Sequence, residues 1–393
     1  MGENKSTKET SSEIALNIAD SRLIETANEL VELLSQNKRV FLFGAGSSKC
    51  AGLPLMGELT EAVLEKIKSG SKDGANDILN GIKNNFKGST SCNIEDYMSE
   101  LVDLISIGKR RKSKKSKINK ISVAENDYTI EELINTLDEI KHHIQEIIQS
   151  SKPNLDFHRN FINNIHGRLI TGKSQINQKV DYFTLNYDTI LEDALSLEQI
   201  SFSDGFNGGA TGWWNIDSYD EKLIKARVFK IHGSIDWCLL DDDVLPRRVR
   251  SGLGLNDKGE PVLIWPASTK YRETQRDPYA QILEKLRQTL RPVTNNDVVV
   301  LTIVGYSFCD THINYELDRA LKESNGALTI IVLTNEDKPE GIIKQWYNDP
   351  NLSEQVRIYS NCGYYHADKT IESAKDINWW KFRPLVQLLG GKV

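Results

Sequence analysis

The chain has 393 residues, a formal net charge of -6 and a pI near 5.8. It is long enough for a large α/β domain with an insertion, and its charge balance excludes a protein held on nucleic acid by overall charge. Its five cysteines, Cys50, Cys92, Cys238, Cys309 and Cys362, form no C-x-x-C pair, which argues against a disulfide framework or cysteine zinc ribbon and fits reduced thiols in a cytoplasmic protein.

The first twenty residues lack the apolar core of a signal peptide, and no later run is long or apolar enough to span a bilayer. No membrane contact is therefore expected, although MGENKS matches the loose pattern for N-myristoylation. Residues 12–36 place Leu16, Leu23, Ile24, Ala27, Leu30, Val31 and Leu34 at helical spacing and predict an amphipathic helix. The apolar run 40–43 then reads as a short buried strand, closed by Gly44-Ala45-Gly46-Ser47-Ser48.

Further along, EDYMSELVDLISIG (95–108) and TIEELINTLDEIKHHIQEIIQS (129–150) are plain helices in a polar stretch too long for a simple crossover. That stretch predicts a helical insertion subdomain. Between its helices KRRKSKKSKINK (109–120) carries eight Lys or Arg in twelve positions, either a solvated, disordered loop or a contact for nucleic acid or an acidic partner. Strand patterns follow at 180–185, 226–231, 298–307, 327–335 and 355–360, with helical patterns at 190–195 and 312–323. The expected fold is therefore α/β: a mostly parallel, Rossmann-like sheet of about six strands covered on both faces. Its parts are residues 1–54 with the first helix and strand, the insertion at 55–178, and the rest of the domain at 179–393.

The small residues after the first strand suggest a phosphate cradle, in which backbone N–H groups at a helix start face an anion and Ser47 and Ser48 add hydroxyl donors. Three other segments, FTLNYD (183–188), KIHGSIDW (230–237) and VGYSFCD (304–310), fall at the ends of predicted strands. In an open α/β sheet those ends converge on one ligand-binding edge.

Taken in order, Gly44-Ala45-Gly46-Ser47 with Gly52-Leu53-Pro54, Thr184-x-Asn186-x-Asp188, His232-Gly233 and Gly305-Tyr306-Ser307 resemble the motif set of the sirtuin family. The resemblance covers about residues 38–54 and 180–335. It implies a fold that binds NAD as substrate and cleaves the bond between nicotinamide and ribose. It implies that Gly44, Ala45, Gly46 and Ser47 line the NAD phosphates, joined by Gly305 and Ser307, and that Asn335 holds the adenosine ribose. Asn186 would position the ribose hydroxyls or the attacking water, Asp188 would support that strand end, and His232 would be the general base.

Deacetylating sirtuins carry two C-x-x-C pairs after the His-Gly, whereas residues 238–257 offer only Cys238. No zinc is expected, and water becomes the natural acceptor. Zinc-less domains of this kind resemble NAD-depleting effectors of bacterial antiphage defence, including those that assemble with a HerA-type ATPase. The resemblance thus implies an NAD glycohydrolase acting in abortive infection, and a closed homo-oligomer is expected because most soluble oligomers are symmetric. Two alternatives use the same site: an ADP-ribosyltransferase, and a noncatalytic NAD or ADP-ribose-binding scaffold for a partner ATPase.

Overall fold

The computed structural model describes residues 18–391 except 19, 37, 71–73, 87–91, 117–119, 171–178, 241–242, 250–259, 264–276 and 293–297. The N-terminal part of the helix expected from residue 12 lies outside these residues; the described part is α1 (Ser21–Gln36).

Predominantly apolar strands build the centre of the molecule. KRVFLF forms β1 (Lys38–Phe43), VVLTIV forms β12 (Val299–Val304) and LTIIVL forms β13 (Leu328–Leu333). Such runs suit strands covered on both faces. With β4 (Val180–Thr184), β8 (Ala226–Lys230), β5 (Phe202–Ser203) and β14 (Val356–Ser360) they make a parallel sheet in the order β14-β13-β12-β1-β4-β8-β5. An antiparallel hairpin, β15 (Gly363–His366) and β16 (Lys369–Glu372), extends the β14 edge to nine strands. The expected six are the contiguous inner strands. The three beyond them, β5 at one edge and the β15–β16 hairpin at the other, are two to four residues long, without a sustained apolar run.

Alternation of side chains divides the sheet between two cores. Val40, Leu42, Leu301, Ile303, Ile330 and Val332 pack in one, with α8 (Tyr279–Leu290), α9 (Thr311–Glu323) and α10 (Gly341–Asn348). Phe41, Phe43, Val300, Val304, Ile331 and Leu333 face the other, with α1, α6 (Asp156–Ile170) and α11 (Phe382–Leu389).

Four helices between β1 and β4 share a separate core: α2 (Met56–Gly70), α3 (Ala75–Asn85), α4 (Ile94–Ser113) and α5 (Ile130–Ser150). Capping boxes at Asn93–Asp96 and Thr129–Glu132 set the starts of α4 and α5. A short hairpin, β2 (Ile121–Val123) and β3 (Asn126–Tyr128), joins them. The basic run differs from the expected loop: residues 109–113 complete α4, where Lys and Arg complement the negative end of the helix dipole. α6 packs against the main sheet instead, through Phe161, Ile162 and Ile165.

A five-stranded antiparallel sheet lies beyond β8. Its order is β11 (Glu260–Leu263), β9 (Gly233–Leu239), β10 (Arg247–Val249), β7 (Thr211–Trp214) and β6 (Phe206–Gly208). Trp214 and Trp237 pack with Phe206 in its aromatic core, and Trp213 is exposed.

Candidate functional site

The chain leaves β1 toward β4 and β8, then returns to the other side of β1 as β12 and β13. β1 and β12 therefore flank a topological switch point, whose carboxyl edge is the general ligand position in such sheets. Two backbone turns close that edge. Gly44 donates its N–H to Val304 O and Gly46 donates to Gly305 O, each at 3.0 Å. The approach is so close that a Cβ on Gly44 would lie 2.4 Å from Gly305 O, and one on Gly46 2.8 Å from Gly305 Cα. The small residues of the first turn are thus required by the second turn.

This changes the cradle expected from the sequence. Residues 45–47 and 49–51 form successive 3-10 turns, not the start of an α-helix. Ser47 N–H donates to Gly44 O and Ser48 N–H to Ala45 O. The Ser47 hydroxyl donates to Gly44 O at 2.8 Å, and the Ser48 hydroxyl to Asp188 Oδ2 at 2.8 Å. Both serines are buried, so their hydroxyls brace the turn; Ala45 and Ser307 are the exposed members of the two turns, with Gly46 and Gly305 half-buried.

Asn186 lies two residues past the end of β4, with its backbone N–H on Thr184 Oγ1 at 3.1 Å. Its Nδ2 reaches Gly44 O at 3.1 Å, Ser47 Oγ at 3.2 Å and Ser48 Oγ at 2.9 Å. Asp188 is equally committed. One oxygen receives Ser48, the other accepts the N–H of Ile190, the first residue of α7 (Ile190–Leu197), at 3.1 Å, and its carbonyl accepts from Lys230 Nζ. Lys230 in turn lies 3.4 Å from Glu192, with both side chains buried. Burial pushes the Glu192 carboxyl up to about 7 against the pull of Lys230.

His232 follows β8, anchored by Ile231 N–H on Thr184 O at 2.9 Å, and is 3 % exposed. Gly233, at φ 79°, lets the backbone turn at once into β9. The His232 ring centroid is 5.8 Å from that of His312, in the first turn of α9. The turn after β12 is fixed from the same helix: Tyr306 donates its hydroxyl to Asn314 Oδ1 at 3.0 Å, and Asn314 Nδ2 donates to Phe308 O at 2.7 Å.

The structure thus brings Gly44, Gly46, Ser47, Asn186 and Gly305 together, with Asp188 joined to them through Ser48 and His232 one strand away. Ser307 and Asn335 are exposed at the ends of β12 and β13. Asp188 also borders a cleft of about 330 Å³ whose walls include Leu53, Ile148, Thr189 and Ile235, a volume suited to a small organic ligand.

The sequence patterns do not single out His158, Glu192 or Lys230, whereas His312, in the C-x-x-H with Cys309, reads as a helix start and lies in the first turn of α9. Glu192 and Lys230 are polar positions inside a helix and a strand predicted from their apolar neighbours, which is the signal that was available. His158 had none, because α6 has a weak apolar stripe. The His158 imidazole, hydrogen-bonded to the Ser47 backbone, is held down to about 4 mainly by burial, with the Asp188 charge opposing. His166, which meets Tyr182 Oη at 2.9 Å, is held down to about 3 by burial and by the Arg39 and Lys225 charges.

These shifts set a pH dependence. Imidazoles in the unfolded chain take up protons near 6.5, so the stability contributed by neutral His158 and His166 is complete above that pH. It is lost as the pH falls toward their folded values. Glu192 has the opposite sign, its contribution being complete below the unfolded carboxyl value and fading as the pH rises through about 7. His166→Gln is therefore expected to flatten the fall of the urea midpoint between pH 6.5 and 4. An unchanged slope would show that His166 does not carry it.

A family model described as a SIR2-like domain matches residues 180–354. The matched region begins at β4, contains Asn186, Asp188, His232, Gly305 and Ser307, and stops before β14. No curated protein matches the chain. The domain match supports a sirtuin-like family and an NAD-related function.

Proposed function

We propose that the protein is an NAD glycohydrolase that cleaves NAD to ADP-ribose and nicotinamide. The observation that carries this reading is the convergence of Asn186 and His232 with the paired turns at the switch-point edge of the sheet. The diphosphate rests on Ala45 and Gly46 of the first turn, braced by Ser47, and on Gly305 and Ser307 of the second, with Asn335 toward the adenosine ribose. Exposure falls from Ala45 and Ser307 to half-buried Asn186 and buried His232, which seats the diphosphate at the mouth and the scissile bond deeper.

There the C–N bond to nicotinamide breaks, and its electron pair leaves on the ring nitrogen, giving neutral nicotinamide. Water forms the new C–O bond to the oxocarbenium-like ribose, and its proton passes to the His232 imidazole. Asn186 orients the ribose hydroxyls or that water, and Asp188 holds the strand end. No zinc takes part in these steps.

The same proposal assigns the protein to abortive antiphage defence in the cytoplasm, as a homo-oligomer partnered by a HerA-type ATPase. Lys109, Arg110, Lys112, Lys114 and Lys115 are exposed around the end of α4, a surface suited to nucleic acid or an acidic partner.

Incubation with NAD, followed by quantification of both products beside His232→Ala, tests the reading. Nicotinamide and free ADP-ribose are expected in equal amounts, falling about 10²- to 10⁴-fold in the variant. A labelled acceptor in place of free ADP-ribose would indicate transfer, and binding without turnover would indicate a scaffold.

A further inference from the structure

Behind the first turn, on the α6 side of the sheet, lies a cavity of about 10 Å³ lined in part by Ser47, Ser48, His158, Asn186, Asp188 and Glu192. Three of these residues carry a buried polar atom with no hydrogen-bond partner among the described residues: His158 Nδ1, Asn186 Oδ1 and Glu192 Oε2. Buried polar atoms are rarely left unsatisfied, and each such atom calls for a physical explanation. Three around one small space, whose other walls include Phe43, Phe161 and Leu191, have a common one, because a single water needs about 10–15 Å³ and two to four polar partners.

The surroundings make that space stiff. His158 is 5 % exposed, bonded to the Ser47 backbone and stacked on Phe382 with ring centroids 4.6 Å apart. Glu192 is fixed by Lys230 at 3.4 Å, and Asp188 by Ser48 and Lys230. Asn186 is the lining residue whose amide also belongs to the proposed reaction site. On its other side, Nδ2 is held by Gly44, Ser47 and Ser48.

We propose that one buried water, accepting from a protonated Glu192 Oε2 and donating to His158 Nδ1 and Asn186 Oδ1, locks the Asn186 amide from behind, making His158 a positioning residue for NAD cleavage. The role of His158 rests on the glycohydrolase reading; the water site does not. With Nδ2 held by the turn and Oδ1 held by the water, the amide cannot rotate. Its orientation is then set before substrate arrives, the condition under which positioning is effective in catalysis.

The test combines a high-resolution crystal structure of the wild-type protein with two variants. The structure is expected to show one ordered water within hydrogen-bonding distance of the three atoms. His158→Phe keeps a ring against Phe382 and removes both polar contacts; its kcat for NAD is expected to fall about 10- to 100-fold with little change in KM. His158→Gln, which can still donate to Ser47 and meet the water, is expected to recover most of that loss.

An empty cavity in the crystal overturns the water. An unchanged kcat in His158→Phe, or equal losses in both variants, overturns the positioning role. Should His158→Phe fail to fold, His158→Asn with the same kinetic comparison takes its place. Wild-type protein that does not cleave NAD would overturn the glycohydrolase reading and the role of His158, leaving the water to be decided by the crystal structure.

Discussion

Asn186→Ala is expected to leave NAD bound and to lower its cleavage about 10²- to 10³-fold, the usual cost of removing one fixed polar group from the reacting centre. The fold should tolerate the change. Ser47 keeps its bond to Gly44 O and Ser48 keeps Asp188, so the partners left behind by the amide remain satisfied. A loss of stability of about 1 kcal/mol is then the expected scale for the deleted hydrogen bonds. Calorimetric binding of NAD and chromatography of its products check the two halves of this expectation separately. Turnover near the wild-type rate would return Asn186 to a purely structural brace between β4 and the turn.

Gly305→Ala should be more damaging to the fold than any other single methyl at this edge. At φ 67° the added Cβ meets Ser47 N at 2.3 Å and the Gly46 backbone at 2.7 and 2.8 Å. Those neighbours are main chain and cannot swing aside. Both turns would have to separate, breaking the Gly46 N–H bond to Gly305 O. We expect a loss of about 4–5 kcal/mol, at the far end of the range for point substitutions. Gly326→Ala is the matching control, because it shares a positive φ of 89° but has open space around the new methyl; about 1–2 kcal/mol is expected there from the backbone alone. Urea unfolding of the two variants separates steric contact from dihedral cost, and equal losses would refute the clash.

The inner sheet was legible because β1, β12 and β13 are dominated by apolar residues, and their ends carry the motifs. The helices of the insertion were equally plain where an amphipathic stripe coincides with a cap, as at Thr129–Glu132. What stayed hidden was structure that depends on distant partners. β5 exists because Phe202 and Ser203 find an open edge on β8, and β15 and β16 fold back on β14 through a tight turn. The site followed the same division. Residue types at strand ends located Gly44, Asn186, His232 and Gly305, yet the sequence could not reveal that the serine hydroxyls are spent inside the protein. Nor could it bring His158 from α6 to the back of the turn, since that contact follows from packing against Phe382 and Phe161.

The central position of β1 also bears on how the protein is made. Its edge toward β4 waits for residues 180–184, and its edge toward β12 waits for residues 299–304. At about 5–20 residues per second on the ribosome, the roughly 260 residues between Phe43 and Val304 take some 13–50 s to synthesise. During that interval a nascent chain carries VFLF with at least one unpaired backbone edge. The insertion, whose helices contact each other within residues 56–150, can meanwhile fold on its own schedule. Chaperone supply during recombinant expression should therefore raise the soluble yield, and truncations ending before β12 should aggregate through β1.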